Sequence, residues 1–214
     1  MKVGVIDYGV GNLGSVVRAL EELRVSPVLV DRAADLHDSD CLILPGVGNF
    51  ADCARLLEAG GWKDALRDEV QGYGRPLLGV CVGMQLLADS STEGASEGES
   101  TPGLGFIPGQ VRHLRSFGCG QRVPHVGWNG ITRVGTDADD RLFSGIPDGS
   151  DFYFVHSYAF APQELNDVIA TTDYGVPVCA AVRRGRVWGT QFHPEKSSRA
   201  GFRLLKNFIQ GPAC

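Results

Sequence analysis

Along the first 90 residues, short apolar runs alternate with stretches whose apolar side chains recur every three or four positions. Residues 2–7 (KVGVID) predict a strand, and Leu13, Val16, Val17, Leu20 and Leu23 then share one face of a helix over 13–24. Val28, Leu29 and Val30 predict the second strand; Cys41, Leu42, Ile43 and Leu44 predict the third, stopped by Pro45-Gly46. Residues 51–71 have a helical period interrupted at Gly60-Gly61. Residues 76–80 (PLLGV) form a wholly apolar strand, with a helix over 82–88 after it. Apolar strands alternating with helices predict a parallel sheet covered on both faces.

The pattern changes after residue 90. Residues 90–103 (SSTEGASEGESTPG) are small, polar and acidic without a period, which predicts a mobile surface loop. Strand-like runs follow at 106–114, 122–134, 151–160, 167–173, 176–183 and 186–192, and a closing helix over 198–209 puts Phe202, Leu205, Phe208 and Ile209 on one face. No repeat and no long linker divides the chain. One domain over 1–214 is expected, an α/β three-layer sandwich with a mostly parallel mixed central sheet and an appended antiparallel part.

Composition sharpens this. Glycine supplies 29 of 214 residues, about twice the usual ~7%, and clusters where apolar runs end, so many tight turns should lie along one rim of the sheet. An apolar share of 43% can bury a core and excludes a disordered chain. No apolar run approaches the ~18 residues of a membrane helix, and Asp7 interrupts the N-terminal run too early for a signal-peptide core. A cytoplasmic protein is expected. The net charge of −5 gives no general attraction to nucleic acid or to an anionic membrane. Six cysteines, at 41, 53, 81, 119, 179 and 214, are too few for a disulfide scaffold, and none forms the Cys-x-x-Cys pair of a zinc knuckle or thioredoxin motif.

Two glycine-rich turns carry candidate chemistry. Gly9-Val10-Gly11-Asn12-Leu13-Gly14 is a G-x-G-x-x-G between strand and helix, with Asp31 about 20 residues on, which meets the dinucleotide-binding fingerprint as written. Asp7 and Tyr8, however, put a charge and a bulky ring where a phosphate should approach, and nothing later supplies a hydride-transfer site. A structural or interface turn is the favoured reading. Gly79-Val80-Cys81-Val82-Gly83 is a G-x-nucleophile-x-G elbow with cysteine as the nucleophile. The glycines let the strand turn sharply into the helix, and the dipole at a helix start favours the reactive thiolate. The other cysteines read as structural.

A thiolate nucleophile needs a base and a group to orient that base. His37 and His113 lie in ordinary polar or strand contexts. His193 ends the strand over 186–192 and opens His193-Pro194-Glu195, where the rigid proline holds a carboxylate near the imidazole. His156 competes for the same role but has no carboxylate beside it in sequence.

Extended to GVCVGMQLL, the elbow together with His193-Pro194-Glu195 resembles the class I (triad) glutamine amidotransferases. DYGVGN at 7–12, LPGVGNF at 44–50, PHVGWN at 124–129, FYFVHSY at 152–158 and QFHPEKSS at 191–198 are similar, within that family, to the glutaminase subunits that serve histidine biosynthesis. The likeness runs from residue 2 to about 210. It implies that Cys81 attacks the amide of L-glutamine to give a γ-glutamyl thioester and ammonia, with His193 as base and acid and Glu195 as its orienting carboxylate. It also implies an oxyanion hole from the backbone N–H groups of Val47 and Val82, the Val47 peptide being free to flip between Gly46 and Gly48. Glutamine would be held by Gly46, Gly48, Gln85, His156, Ser157 and Tyr158. Glu93 is a candidate for its α-ammonium, with a solvated surface residue as the alternative. Val82 stands where leucine is common in the family, which leaves the backbone role intact.

No cofactor and no metal is implied. The chain is consumed by glutaminase elements, so the ammonia acceptor belongs to another subunit. The resemblance implies a heterodimer with a (β/α)8-barrel cyclase, with Asn12, Trp128, Tyr153 and Lys196 at the interface and tunnel mouth; a core tryptophan is the other reading of Trp128. The rivals are a glutaminase serving another synthase (one making pyridoxal phosphate, GMP or a surface sugar) and the dinucleotide-binding module on Gly9, Gly14 and Asp31.

Overall fold

The wholly apolar runs become the most deeply buried strands. In the computed structural model, which describes residues 1–96, 98–135 and 141–211, β3 (Cys41–Gly46) and β4 (Leu77–Cys81) are buried at every position. Cys214 lies outside the described residues. β1 (Val3–Ile6) pairs with β3 on one side and with β2 (Pro27–Val30) on the other, and α1 (Leu13–Glu22) connects β1 to β2. The 51–71 segment becomes α2 (Phe50–Ala59) and α3 (Trp62–Arg67), broken at Gly60-Gly61, where Gly61 takes a φ of 69° open to glycine but not to most residues.

The chain continues through α4 (Val82–Gln85), the short β5 (Ser90–Ser91) and β6 (Thr101–Pro102), then β7 (Gly109–His113), β8 (His125–Arg133), β9 (Asp151–His156) and β10 (Tyr158–Pro162). β11 (Val168–Asp173), β12 (Pro177–Arg184), β13 (Val187–Thr190) and α5 (Ser198–Gln210) complete it. Among the described residues the larger sheet has the order β2-β1-β3-β4-β13-β12-β11-β8-β9. Its pairs are parallel from β2 to β13 and antiparallel from β13 to β9. This is a mixed α/β sheet with the appended antiparallel part in register. α5 covers it, Phe208 packing edge-on against Trp188 of β13 at 5.8 Å.

Three local expectations are corrected. The helix over 82–88 stops at Gln85, because the carbonyls of Leu86, Leu87 and Ala88 accept N–H bonds from residues 104–107 instead of continuing a helix. The 90–103 stretch is anchored at both ends, with Ser90 and Ser91 pairing with Pro102 and Thr101 and running parallel to β7. Polarity marked it as surface, but the backbone ladder holds it. The single strand expected over 151–160 is two strands in different sheets: β9 pairs with β8, while β10 crosses into a second sheet of order β10-β7-β5-β6. Ser157 is the corner, its carbonyl accepting Leu114 N–H at 2.9 Å. That crossing swings residues 156–158 toward the end of β4.

Candidate active site

At the end of β4 the chain turns through Cys81 with φ 57° and ψ −113°, a region that costs a side-chain-bearing residue energy. The flanking glycines make the turn possible. A Cβ on Gly79 would lie 2.5 Å from the Gly83 carbonyl oxygen, and one on Gly83 would overlap the Leu44 carbonyl of β3. Gly46 serves the same contact from the other side, since a Cβ there would sit 2.7 Å from Gly83 N. With only four residues, α4 carries little macrodipole, and the Cys81 sulfur takes its electrostatic partner from elsewhere in the fold.

That partner is His193. Its Nδ1 lies 2.8 Å from Glu195 Oε1, and both side chains are buried. Burial alone would push the imidazole down. The hydrogen bond and charge of the Cys81 sulfur and of the Glu195 carboxylate outweigh burial and raise it to about 10, so His193 holds a proton at neutral pH. The turn is bolted to β9 in two places, His193 N–H donating to Tyr153 O at 2.9 Å and Tyr153 N–H donating to Ser197 Oγ at 3.0 Å, and it is closed on itself by Ser197 Oγ donating to His193 O at 2.5 Å.

A cavity of about 300 Å³ opens over Cys81. Val47, Gly48, Cys81, Val82, Gln85, Glu93, His156, Ser157, Tyr158 and His193 all line it, together with Pro124 and Val155. Glu195 lies behind His193. Gly46 is not a lining residue; its place is the packing against Gly83. Gly48 has φ 91°, and the Val47 carbonyl accepts a 3.4 Å bond from the Cys53 thiol. Glu93 accepts Phe50 N–H at 2.9 Å, so it clamps the start of α2 as well as facing the cavity, and burial raises it above the usual carboxylate range. Gln85 donates to Tyr158 O at 2.9 Å and to Gln191 Oε1 at 3.0 Å, which leaves its own oxygen buried and unpaired.

On the rim, Trp128 is 55% exposed and packs edge-on against Tyr153 at 6.1 Å, with Lys196 Nζ 6.0 Å from the Tyr153 ring centre. The core reading of Trp128 is thereby corrected: β8 alternates, and Trp128 falls on its outward face with Val126. Asn12 starts α1, which packs beside the 194–196 turn. The dinucleotide fingerprint fails locally, since the Asp7 carboxylate already accepts Gly9 N–H at 3.1 Å, a donor a phosphate would need.

Two buried residues of the site carried no assignment in the sequence. Gln191 places Nε2 3.9 Å from Cys81 Sγ, a contact made across 110 residues that its local sequence does not signal. His125 contacts His156 and sits in the PHVGWN string, where only its neighbour Trp128 drew attention.

Burial pushes the His125 imidazole down to about 4 and that of His156 to about 3. Both stay neutral in the fold while the unfolded chain protonates them near 6.5, so their contribution is present above that pH and is lost as pH falls through 4 toward 3. Thermal unfolding midpoints should therefore drop between pH 6.5 and 4, and less steeply for His125→Asn. Identical pH profiles for wild type and variant would show that His125 is not linked to folding.

Residues 4–211 match the Glutamine amidotransferase class-I family, and the chain belongs to that family. Within it, the chain is 45% identical over 206 residues to the imidazole glycerol phosphate synthase subunit HisH of Moorella thermoacetica, covering 96% of this chain and 93% of that protein. The HisH subunit of Caulobacter vibrioides is likewise 45% identical, with 97% of each chain covered. The fold is also that of a crystal structure described as a glutamine amidotransferase, with a TM-score of 0.74 over 99% of both chains at 23% identity.

Proposed function

We propose that this chain is the glutaminase subunit of an imidazole glycerol phosphate synthase, and that Cys81, His193 and Glu195 carry the hydrolysis. The carrying observation is that His193 shares one cavity with the Cys81 elbow and is backed by Glu195 through a buried 2.8 Å contact. Glutamine enters with its amide over Cys81 and its polar end toward Gln85, Glu93 and the 156–158 wall. The sulfur attacks the amide carbon, and the oxygen that becomes negative is received by the N–H groups of Val47 and Val82. His193, already protonated, gives its proton to the departing nitrogen; ammonia leaves and a γ-glutamyl thioester remains. Neutral His193 then takes a proton from water, hydroxide attacks the thioester, and glutamate departs as the sulfur and His193 return to their starting forms. Glu195 holds Nδ1–H throughout, so Nε2 faces the chemistry.

His156 is a poor base. Both of its ring nitrogens are engaged, and burial keeps it neutral. The ammonia goes to a cyclase subunit, and we read that subunit as a (β/α)8 barrel docked on Trp128, Tyr153, Lys196 and Asn12. Its acceptor is a phosphoribulosyl-formimino-carboxamide ribonucleotide. Among the described residues no helix is long and apolar enough to cross a membrane. We read the chain as a cytoplasmic enzyme working as one domain over 1–214.

The isolated chain should be a poor glutaminase that the partner activates. The Val47 carbonyl is held by Cys53 and the peptide lies between two glycines, so a second orientation is accessible to it. If docking favours the competent orientation, a 100-fold activation requires ~2.7 kcal/mol of differential binding. Glutamate release is measured for the chain alone, with the barrel subunit, and with an acceptor analogue added. Equal rates in all three would mean that the oxyanion hole is already formed.

A further inference from the structure

Behind the cavity wall, two buried histidines form a chain of hydrogen bonds whose directions the geometry dictates. His156 Nδ1 lies 2.8 Å from the Tyr158 carbonyl oxygen. A carbonyl only accepts, so Nδ1 carries the proton and Nε2 is bare. His125 Nδ1 lies 3.0 Å from that bare Nε2 and must therefore carry a proton of its own. Its Nε2 in turn faces Asn129 Nδ2 at 3.4 Å, and Asn129 also donates to Asp173 O at 2.8 Å. The His125 ring is held in plane by stacking on Tyr174 at 3.9 Å and on Phe154 at 4.8 Å.

The far end of this chain is the substrate wall. The Tyr158 carbonyl accepts a second bond, from Gln85 Nε2 at 2.9 Å, and the remaining Gln85 N–H goes to Gln191 Oε1 at 3.0 Å. Both amide hydrogens are thus spent, and the amide cannot flip without setting oxygen against oxygen. Gln85 Oε1 is left as a buried acceptor without a partner on a residue that lines the cavity.

We propose that His125 is a positioning residue for glutamine recognition: it holds His156 in the Nδ1–H tautomer, which pins the Tyr158 carbonyl and through it the Gln85 amide whose free oxygen receives an N–H group of the substrate. The proposal rests on the glutaminase reading of this cavity. Burial keeps both rings neutral, so neither leaves its tautomer near neutral pH. His125 lies on β8, whose opposite face presents Val126 and Trp128 outward, so one strand carries both the docking patch and the support of the pocket wall.

Two variants of the assembled complex separate hydrogen bonding from packing. His125→Phe keeps a ring for Tyr174 and Phe154 but removes the N–H. His125→Asn keeps an N–H near the Nδ1 position but removes the ring. His125→Phe should raise the KM for glutamine about tenfold, with kcat within about threefold of wild type, and His125→Asn should stay within about threefold in both; tenfold corresponds to ~1.4 kcal/mol of lost binding. A wild-type KM for His125→Phe, or an equal defect in both variants, overturns the proposal. Independently, nitrogen-15 NMR of the wild-type chain at neutral pH should find the Nδ1–H tautomer at both rings, and an Nε2–H tautomer or an imidazolium at either overturns it. A wild-type complex that releases no glutamate would instead overturn the functional reading, and the tautomers would then decide the relay by themselves.

Discussion

Cys81→Ser in the assembled complex abolishes glutamine-dependent synthesis, by ~10⁴-fold or more, while ammonia-driven synthesis stays within about twofold of wild type. Serine fits the strained turn as cysteine does, so the elbow and its packing against Leu44 and Gly46 persist. On this account what is lost is the nucleophile: a hydroxyl is far less acidic than a thiol, and it does not supply the sulfur's charge beside His193. The ammonia reaction survives because, on this account, the chain only liberates ammonia and the acceptor chemistry belongs to the partner. Product formation is measured with glutamine and with ammonium salt as separate nitrogen donors. Loss of the ammonia-driven reaction in a well-folded Cys81→Ser complex would show that the residue does something other than hydrolyse glutamine.

His193→Ala should likewise reduce glutamine turnover to background, while Glu195→Gln retains some. On this account the carboxylate transfers no proton; it orients the ring and stabilises its charge. In serine-protease triads the corresponding amide substitution costs ~10⁴ in rate by favouring the wrong tautomer, and a loss of that order is expected for Glu195→Gln. The second oxygen of Glu195 is buried without a partner, so an amide N–H₂ placed there also lacks an acceptor, and the ring orientation is further weakened. Steady-state glutamate release at saturating glutamine measures both variants. Near-native activity of His193→Ala would transfer the role of base to His156.

The parallel half of the fold was legible because its strands are apolar runs; the expected stop at Pro45-Gly46 came too early, since β3 runs on through Gly46, with Pro45 and Gly46 opposite Val80 and Cys81 of β4. The elbow was legible from its glycines: only glycine at 79 tolerates the close approach of α4 to β4, and only glycine at 83 that of α4 to the Leu44 carbonyl of β3. The pairing of His193 with Glu195 followed from their nearness in sequence. What escaped was set by tertiary contacts. The helix after Cys81 is cut short by backbone bonds from residues 104–107, which no local pattern encodes. The split of 151–160 at Ser157 depends on which sheet each half joins, and both halves are equally strand-like. His125 and Gln191 reach the site across 31 and 110 residues, so neither spacing nor period points to them.

Transfer of the glutamine amide nitrogen within the complex tests the central claim most directly. Glutamine labelled with nitrogen-15 in its side-chain amide is supplied with unlabelled ammonium that outnumbers the ammonia released but is too dilute to sustain synthesis by itself, and the label in the imidazole product is counted. The account predicts a product carrying almost entirely the glutamine nitrogen, released with about one glutamate per imidazole formed. A product carrying the ammonium nitrogen in proportion to its share of the two donors, or glutamine nitrogen entering the imidazole without release of glutamate, would contradict it.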